Sequence, residues 1–123
     1  MFSIPAVKGV EIGTGFSGIN MTGSQFNDEL INEKGQTKSN HSGGISGGIS
    51  NGNDLVVKVF IKPTSSIQKE QQTFSFENHD IESLTVGGRH DVCIARRAGI
   101  VLENAIAIVL ADLYLINQAY QKR

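Results

Sequence analysis

Two short clusters in the 123-residue chain carry the residue types that bind anions and handle protons. Lys62-Pro63-Thr64-Ser65-Ser66 sets an ammonium beside three hydroxyls, enough charge and donors to hold a phosphate group. An ordinary polar turn with a solvated lysine has the same composition. Gly87-Gly88-Arg89-His90-Asp91 puts a guanidinium fork, an imidazole and a carboxylate behind two glycines. The fork can grip an anion through paired N–H donors, and the imidazole and carboxylate can move protons beside it. A surface ion pair between Arg89 and Asp91 is the plainer alternative.

A third segment offers backbone instead of side chains. Ser42-Gly43-Gly44-Ile45-Ser46 is followed by a second Gly-Gly-Ile-Ser at Gly47-Gly48-Ile49-Ser50. Glycine lacks the Cβ that keeps a main-chain N–H away from a flat or anionic ligand. The interleaved Ile45 and Ile49 argue against a flexible tether, which would be polar throughout. The order is neither G-x-G-x-x-G nor a glycine loop closed by Gly-Lys-Ser/Thr, which disfavours Rossmann and P-loop nucleotide sites.

Other reactive residues stand apart. His41 and His79 have no partners at metal-ligand spacing, and no metal site is expected. Cys93, the single cysteine, can form no internal disulfide and reads as a small buried hydrophobe. Arg96 and Arg97 are either anion ligands or a solvated charged lead into a helix, and the second reading is favoured. Neither a Ser/His/Asp or Cys/His set nor a carboxylate pair suggests nucleophilic or glycosidase chemistry.

The elements that must position these groups follow from periodicity. Residues 7–15 read as a short strand ending in glycines, and residues 55–61 alternate as a mostly buried strand, with Leu55, Val57, Val59 and Ile61 on one face. Pro63 removes a backbone donor and stops that ladder. Residues 73–76 and 82–86 read as two further strands, antiparallel because their connection is too short for a crossover. From residue 98 to about residue 120, apolar positions recur at helical spacing. The plan is α+β, a small, mostly antiparallel sheet with one long C-terminal helix, in a single domain over residues 1–123. The polar stretch 15–40 is longer than compact domains leave without structure, and is expected to be functional, mobile or ordered against other protein.

Charge and termini bound the partners. Eleven Lys and Arg against twelve Asp and Glu give a net charge of −1, which provides no basic field for nucleic acid or an anionic membrane. The helix is apolar over about a membrane-spanning length, but Glu103, Asn104 and Asp112 interrupt it. Acids cost several kcal/mol in hydrocarbon, which favours a helix inside protein or at a subunit interface. The first residues lack a secretory signal, and a cytoplasmic location is expected.

Taken in order, Asn40-His41-Ser42-Gly43-Gly44-Ile45-Ser46-Gly47-Gly48-Ile49-Ser50-Asn51-Gly52, Lys62-Pro63-Thr64-Ser65-Ser66-Ile67 and Gly88-Arg89-His90-Asp91 resemble the chorismate synthase family. Upstream, Ile4-Pro5-Ala6-Val7-Lys8-Gly9-Val10-Glu11-Ile12-Gly13 and Gly23-Ser24-Gln25 resemble it as well. The likeness covers essentially the whole chain. Two positions depart from it. Val92 stands where the family usually has proline, and Ala98-Gly99-Ile100 where it often has Ala-Val-Pro.

The resemblance implies the C-terminal part of the family's β-α-β sandwich, in a homotetrameric, reduced-FMN-dependent lyase that eliminates phosphate from 5-enolpyruvylshikimate 3-phosphate to give chorismate. It implies cofactor contacts at Pro5, Ala6, Gly47, Lys62, Pro63, Thr64, Ser65, Ser66 and Arg89. Arg89 would also touch the anionic substrate, and Asp91 would govern protonation at flavin N5. The family's chains are much longer, and their N-terminal part carries Gly-Glu-Ser-His-Gly and Gly-Arg-Ser-Ser-Ala-Arg runs that this sequence lacks. The resemblance therefore implies an incomplete catalyst, with Met1 an internal methionine or an artificial start. The alternatives are a stand-alone flavin or phosphate binder centred on residues 62–66, and an oligomerisation module built on the helix.

Overall fold

The computed structural model describes residues 1–121, in two compact units, Met1–Ile61 and Lys62 onward. In the first, strand β1 (Val7–Ile12) pairs antiparallel with β4 (Val57–Ile61), with Val10 opposite Val59 and Ile12 opposite Val57. Cross-strand partners Glu11 and Lys58 form an ion pair at 3.6 Å. The alternation in β4 is the expected one, with Val57, Val59 and Ile61 turned to one side and Lys58 and Phe60 exposed. The inward side is half-buried, less than its composition suggested. A two-stranded ribbon has little to cover it.

Between these strands the polar stretch 15–40 carries local structure. A 3₁₀ turn (Gly15–Asn20) leads to a one-turn helix, α1 (Gly23–Phe26). The Thr22 N–H at its start donates to Gln25 Oε1 at 2.8 Å, half of a capping box. A bridge between Leu30 and Thr37 closes the next loop. Strands β2 (Ile45–Ser46) and β3 (Ile49–Ser50) then form a two-rung hairpin.

The second unit holds the hairpin of β5 (Gln71–Ser75) and β6 (Asp80–Leu84), with Phe74 opposite Ile81, and the helix α2 (Ala95–Gln121). The class is α+β with antiparallel strands and a long C-terminal helix, as expected. The strands make three separate two-stranded sheets instead of one. Pro63 lacks the N–H that would carry the β4 ladder onward, and the chain leaves that sheet there.

Along α2 only Ala98 and Leu102 are buried, with Ala105 and Ile106 half-buried. These four fall on one stripe. Val109, Leu113, Tyr114, Ile116 and Tyr120 beyond them are exposed. By length and composition alone the helix could cross a membrane, a test that core helices of soluble proteins also pass. So much apolar surface in water predicts association of the isolated chain. Sedimentation over a concentration series should show mass rising with concentration, and a monomer throughout would contradict it.

Candidate functional site

The repeated Gly-Gly is two turns of one kind. Gly43 and Gly44 have φ of 61° and 80°, and Gly47 and Gly48 have 59° and 81°. Two successive positive φ values near these angles are those of a type I′ turn, the connection that suits the twist of a hairpin. The first turn is closed by Ile45 N–H donating to Ser42 O at 3.4 Å, and the second joins β2 to β3.

The two turns have different surroundings. A Cβ on Gly43 would collide with the backbone of Gly13, and one on Gly44 would stand 2.5 Å from Asp54 O. A Cβ on Gly47 or Gly48 meets nothing within 4 Å. The first pair is therefore required by the protein's own packing. The second leaves an open backbone tip that a flat ligand can approach.

A carboxylate that the spacing of motifs did not single out holds the root of this double turn. Asp28 Oδ1 accepts from the His41 N–H at 2.7 Å and the Ser39 hydroxyl at 2.7 Å, while Oδ2 accepts from the Ser42 N–H at 2.9 Å. Partial burial pushes the Asp28 carboxyl up, but hydrogen bonds from the Ser42 and His41 amides and from the Ser39 and Ser42 hydroxyls outweigh it. They bring its pKa from the ordinary 3.8 to about 2. His41 proves to be a structural histidine, with Nδ1 2.7 Å from Thr14 Oγ1 and its ring 5.5 Å from that of Phe26.

Pro5 and Ala6 form the turn into β1. Val7 N–H donates to Ile4 O at 3.3 Å across them. Ala6 has φ of 69°, the third position of a type II turn, where glycine is the usual occupant. An alanine there costs roughly 1–2 kcal/mol. Strain of that kind gathers at functional sites.

In the second unit, the residues after β4 and the Gly-Arg-His-Asp run approach each other. Thr64 Oγ1 donates to Val92 O at 3.5 Å, and Lys62 Nζ lies 3.4 Å from Ser65 Oγ. His90 Nε2 is 2.9 Å from Gly87 O, closing the turn that carries Arg89. Arg89 is exposed and has no ion-pair partner among the described residues. Asp91 pairs with Arg97 at 3.2 Å, not with Arg89. Arg97 is therefore not merely solvated. It stands in the first turn of α2, where no acid offsets its charge against the helix dipole, and Asp91 supplies that offset from outside the helix. Cys93 is exposed, contrary to the expectation of burial. The loop around it lies outside the one covered stripe of α2.

The chorismate synthase family model matches residues 1–115. The chain belongs to the chorismate synthase family. A chorismate synthase of Chitinophaga pinensis is 49% identical over 118 residues, covering 96% of this chain and 36% of that protein. One of Archaeoglobus fulgidus is 48% identical over 119 residues, covering 95% of this chain and 33% of its own length. A crystal structure of chorismate synthase matches at 46% identity and a TM-score of 0.48, covering 53% of this chain and 20% of that one. The chain thus spans about a third of the length of the curated chorismate synthases it matches.

The two turns predict unequal costs. Gly44→Ala should lower stability by more than about 3 kcal/mol, because positive φ and a backbone collision add, while Gly48→Ala should cost about 1–2 kcal/mol from φ alone. Urea midpoints compare them. Since the folded pKa of Asp28 lies below its unfolded value, its contribution is present above pH 3.8 and lost as pH falls through about 2. The stability gap between the protein and Asp28→Asn should therefore close over that window. A gap that stays constant with pH would remove the carboxylate from the account.

Proposed function

We propose that this chain is the flavin-contacting part of a chorismate synthase, acting with the remainder of the family's length to eliminate phosphate from 5-enolpyruvylshikimate 3-phosphate. The observation that carries the reading is the approach of Thr64 to Val92, which sets the hydroxyl-rich turn beside the Arg89–Asp91 run in a member of this family. The residues present suit FMN. Lys62 and Ser65 lie close enough to share one phosphate oxygen, and the glycine tip is open to a ring.

In this reading Lys62, Thr64, Ser65 and Ser66 donate to the FMN phosphate, with Pro63 holding the turn that presents them. Gly47, Pro5 and Ala6 offer backbone and a single methyl to the flavin. Reduced FMN, when bound, would lend an electron as phosphate leaves and recover it with the hydrogen lost from the substrate, so that the reaction has no net oxidation. Arg89, without an ion-pair partner among the described residues, binds the anionic substrate and touches the cofactor. Asp91 holds a proton at flavin N5, and Arg97 keeps that carboxylate in place. The whole enzyme is a cytoplasmic homotetramer in this reading, and the exposed apolar length of α2 supports its being covered there.

Flavin fluorescence tests the cofactor assignment. Added to the chain together with the N-terminal part of a relative, FMN should be quenched more strongly than riboflavin, and Lys62→Ala should weaken FMN about tenfold without changing riboflavin, the loss of one charge-assisted contact. Equal response to the two flavins would rule out the phosphate role. The isolated chain with reduced FMN and substrate should release no chorismate until the N-terminal part of a relative is added. Full activity alone would overturn the incomplete-site reading, and tight FMN binding alone would favour a self-sufficient binding module.

A further inference from the structure

We infer that Asp28 is the positioning residue of the glycine hairpin, fixing the root of the double turn and so where the open Gly47-Gly48 tip stands. The inference rests on the reading of Gly47 as a flavin contact. Its geometry is independent of that reading.

The root is also held by the close backbone contact of Gly43 with Gly13 and by the Gly44 N–H donating to Asn40 Oδ1 at 2.9 Å, but the hairpin beyond it has little to hold it. Its strands are two residues each, Ile45 is half-buried, and Ile49 is 72% exposed. A lone ribbon of that size is at best marginally stable in water. Apolar burial therefore cannot set its direction, and polar contacts at its root must.

Asp28 is suited to this. Its two oxygens receive the N–H groups of consecutive residues, His41 on Oδ1 and Ser42 on Oδ2. Two parallel bonds to one planar carboxylate fix the orientation of both peptide units, whereas a single bond would leave a free rotation. Ser42 is the first residue of the first turn, so the constraint passes directly into Gly43 and Gly44. From there, Gly44 O accepts from Asn51 N–H at 3.0 Å and Gly43 O from Val56 N–H at 3.2 Å, tying the returning arm to the same root. Hydrogen bonds to a carboxylate are roughly twice as strong as neutral ones, and here they act where the lever arm to the tip begins. The neighbouring Glu29 is paired with Lys38 at 3.2 Å and does not compete for these donors.

The test uses the chain labelled with ¹⁵N, as the protein and as Asp28→Asn, which keeps the side chain's shape and removes its charge and one acceptor. Order parameters at residues 43–51 should drop from the rigid range near 0.85 to below about 0.6, while the β1–β4 ladder stays rigid. The Ser42 amide proton should move upfield as it loses its carboxylate. Ser39→Ala, which removes one donor and neither amide bond, should give a partial loss. If hairpin and ladder loosen together in both variants, Asp28 is only a general stabiliser and the inference fails. It fails equally if the hairpin keeps its order parameters in Asp28→Asn. FMN titration of the chain complemented with the N-terminal part of a relative then separates the two readings. A roughly tenfold weaker FMN affinity in Asp28→Asn at unchanged ladder rigidity supports both. A hairpin that loosens in a protein whose FMN affinity does not change upholds the positioning role and removes Gly47 from the cofactor site.

Discussion

Where β1 ends, its backbone lies directly on the backbone of the turn at residues 41–44, and there is room between them for hydrogen atoms only. Gly13 N–H donates to Val56 O at 2.8 Å and Thr14 N–H to His41 O at 2.9 Å. Gly13 and Gly43 face each other so closely that a methyl on either would strike the other strand of chain. This contact joins a strand, the end of a long polar loop and the first of two identical turns. In the first unit, nothing comparable is achieved by apolar burial, since Val7 is its one buried hydrophobic residue. The unit is held by main-chain hydrogen bonds and by carboxylates and amides that satisfy them, and such contacts are directional where burial is not.

That mode of construction explains how a polar stretch as long as residues 15–40 can be ordered without a core. Asn40 and Asn53 donate to backbone carbonyls of neighbouring loops, at Asp54 and Gly35, while Asn32 and Asn51 accept from backbone N–H groups two residues on in their own, doing for these loops what ladders do for sheets. The cavity among them, about 490 Å³ and lined by Lys38, Asn40, Asn53 and Asp54 among others, is a gap in this network. Its asparagines are already engaged with the loops that form it.

The second unit shows the opposite condition. Its hairpin and the far part of α2 present aromatic and aliphatic side chains to solvent. The Asp91–Arg97 pair is exposed, so as an ion pair it adds little to stability. Its consequence is orientation. It sets the carboxylate of the Gly-Arg-His-Asp run beside Arg97 in the first turn of α2, while Arg89 has no ion-pair partner among the described residues.

By itself, the sequence determined the elements and the clusters. Strict alternation marked β4, helical spacing marked α2, and Pro63 marked the end of a ladder, because these depend on neighbours in the chain. The ammonium and hydroxyls of residues 62–66 and the guanidinium and carboxylate at Arg89 and Asp91 were legible for the same reason, as was the family, whose motifs are local runs in a fixed order. Only the tertiary structure decided which partners those groups take. Asp28 meets His41 and Ser42, Asp91 meets Arg97 instead of Arg89, and one glycine pair is enclosed while its sequence twin is open. Each outcome depends on the approach of segments distant along the chain or on a backbone direction set by such an approach. No local pattern encodes that, and two copies of Gly-Gly-Ile-Ser came to serve different ends because one lies against Gly13 and Asp54 and the other against nothing.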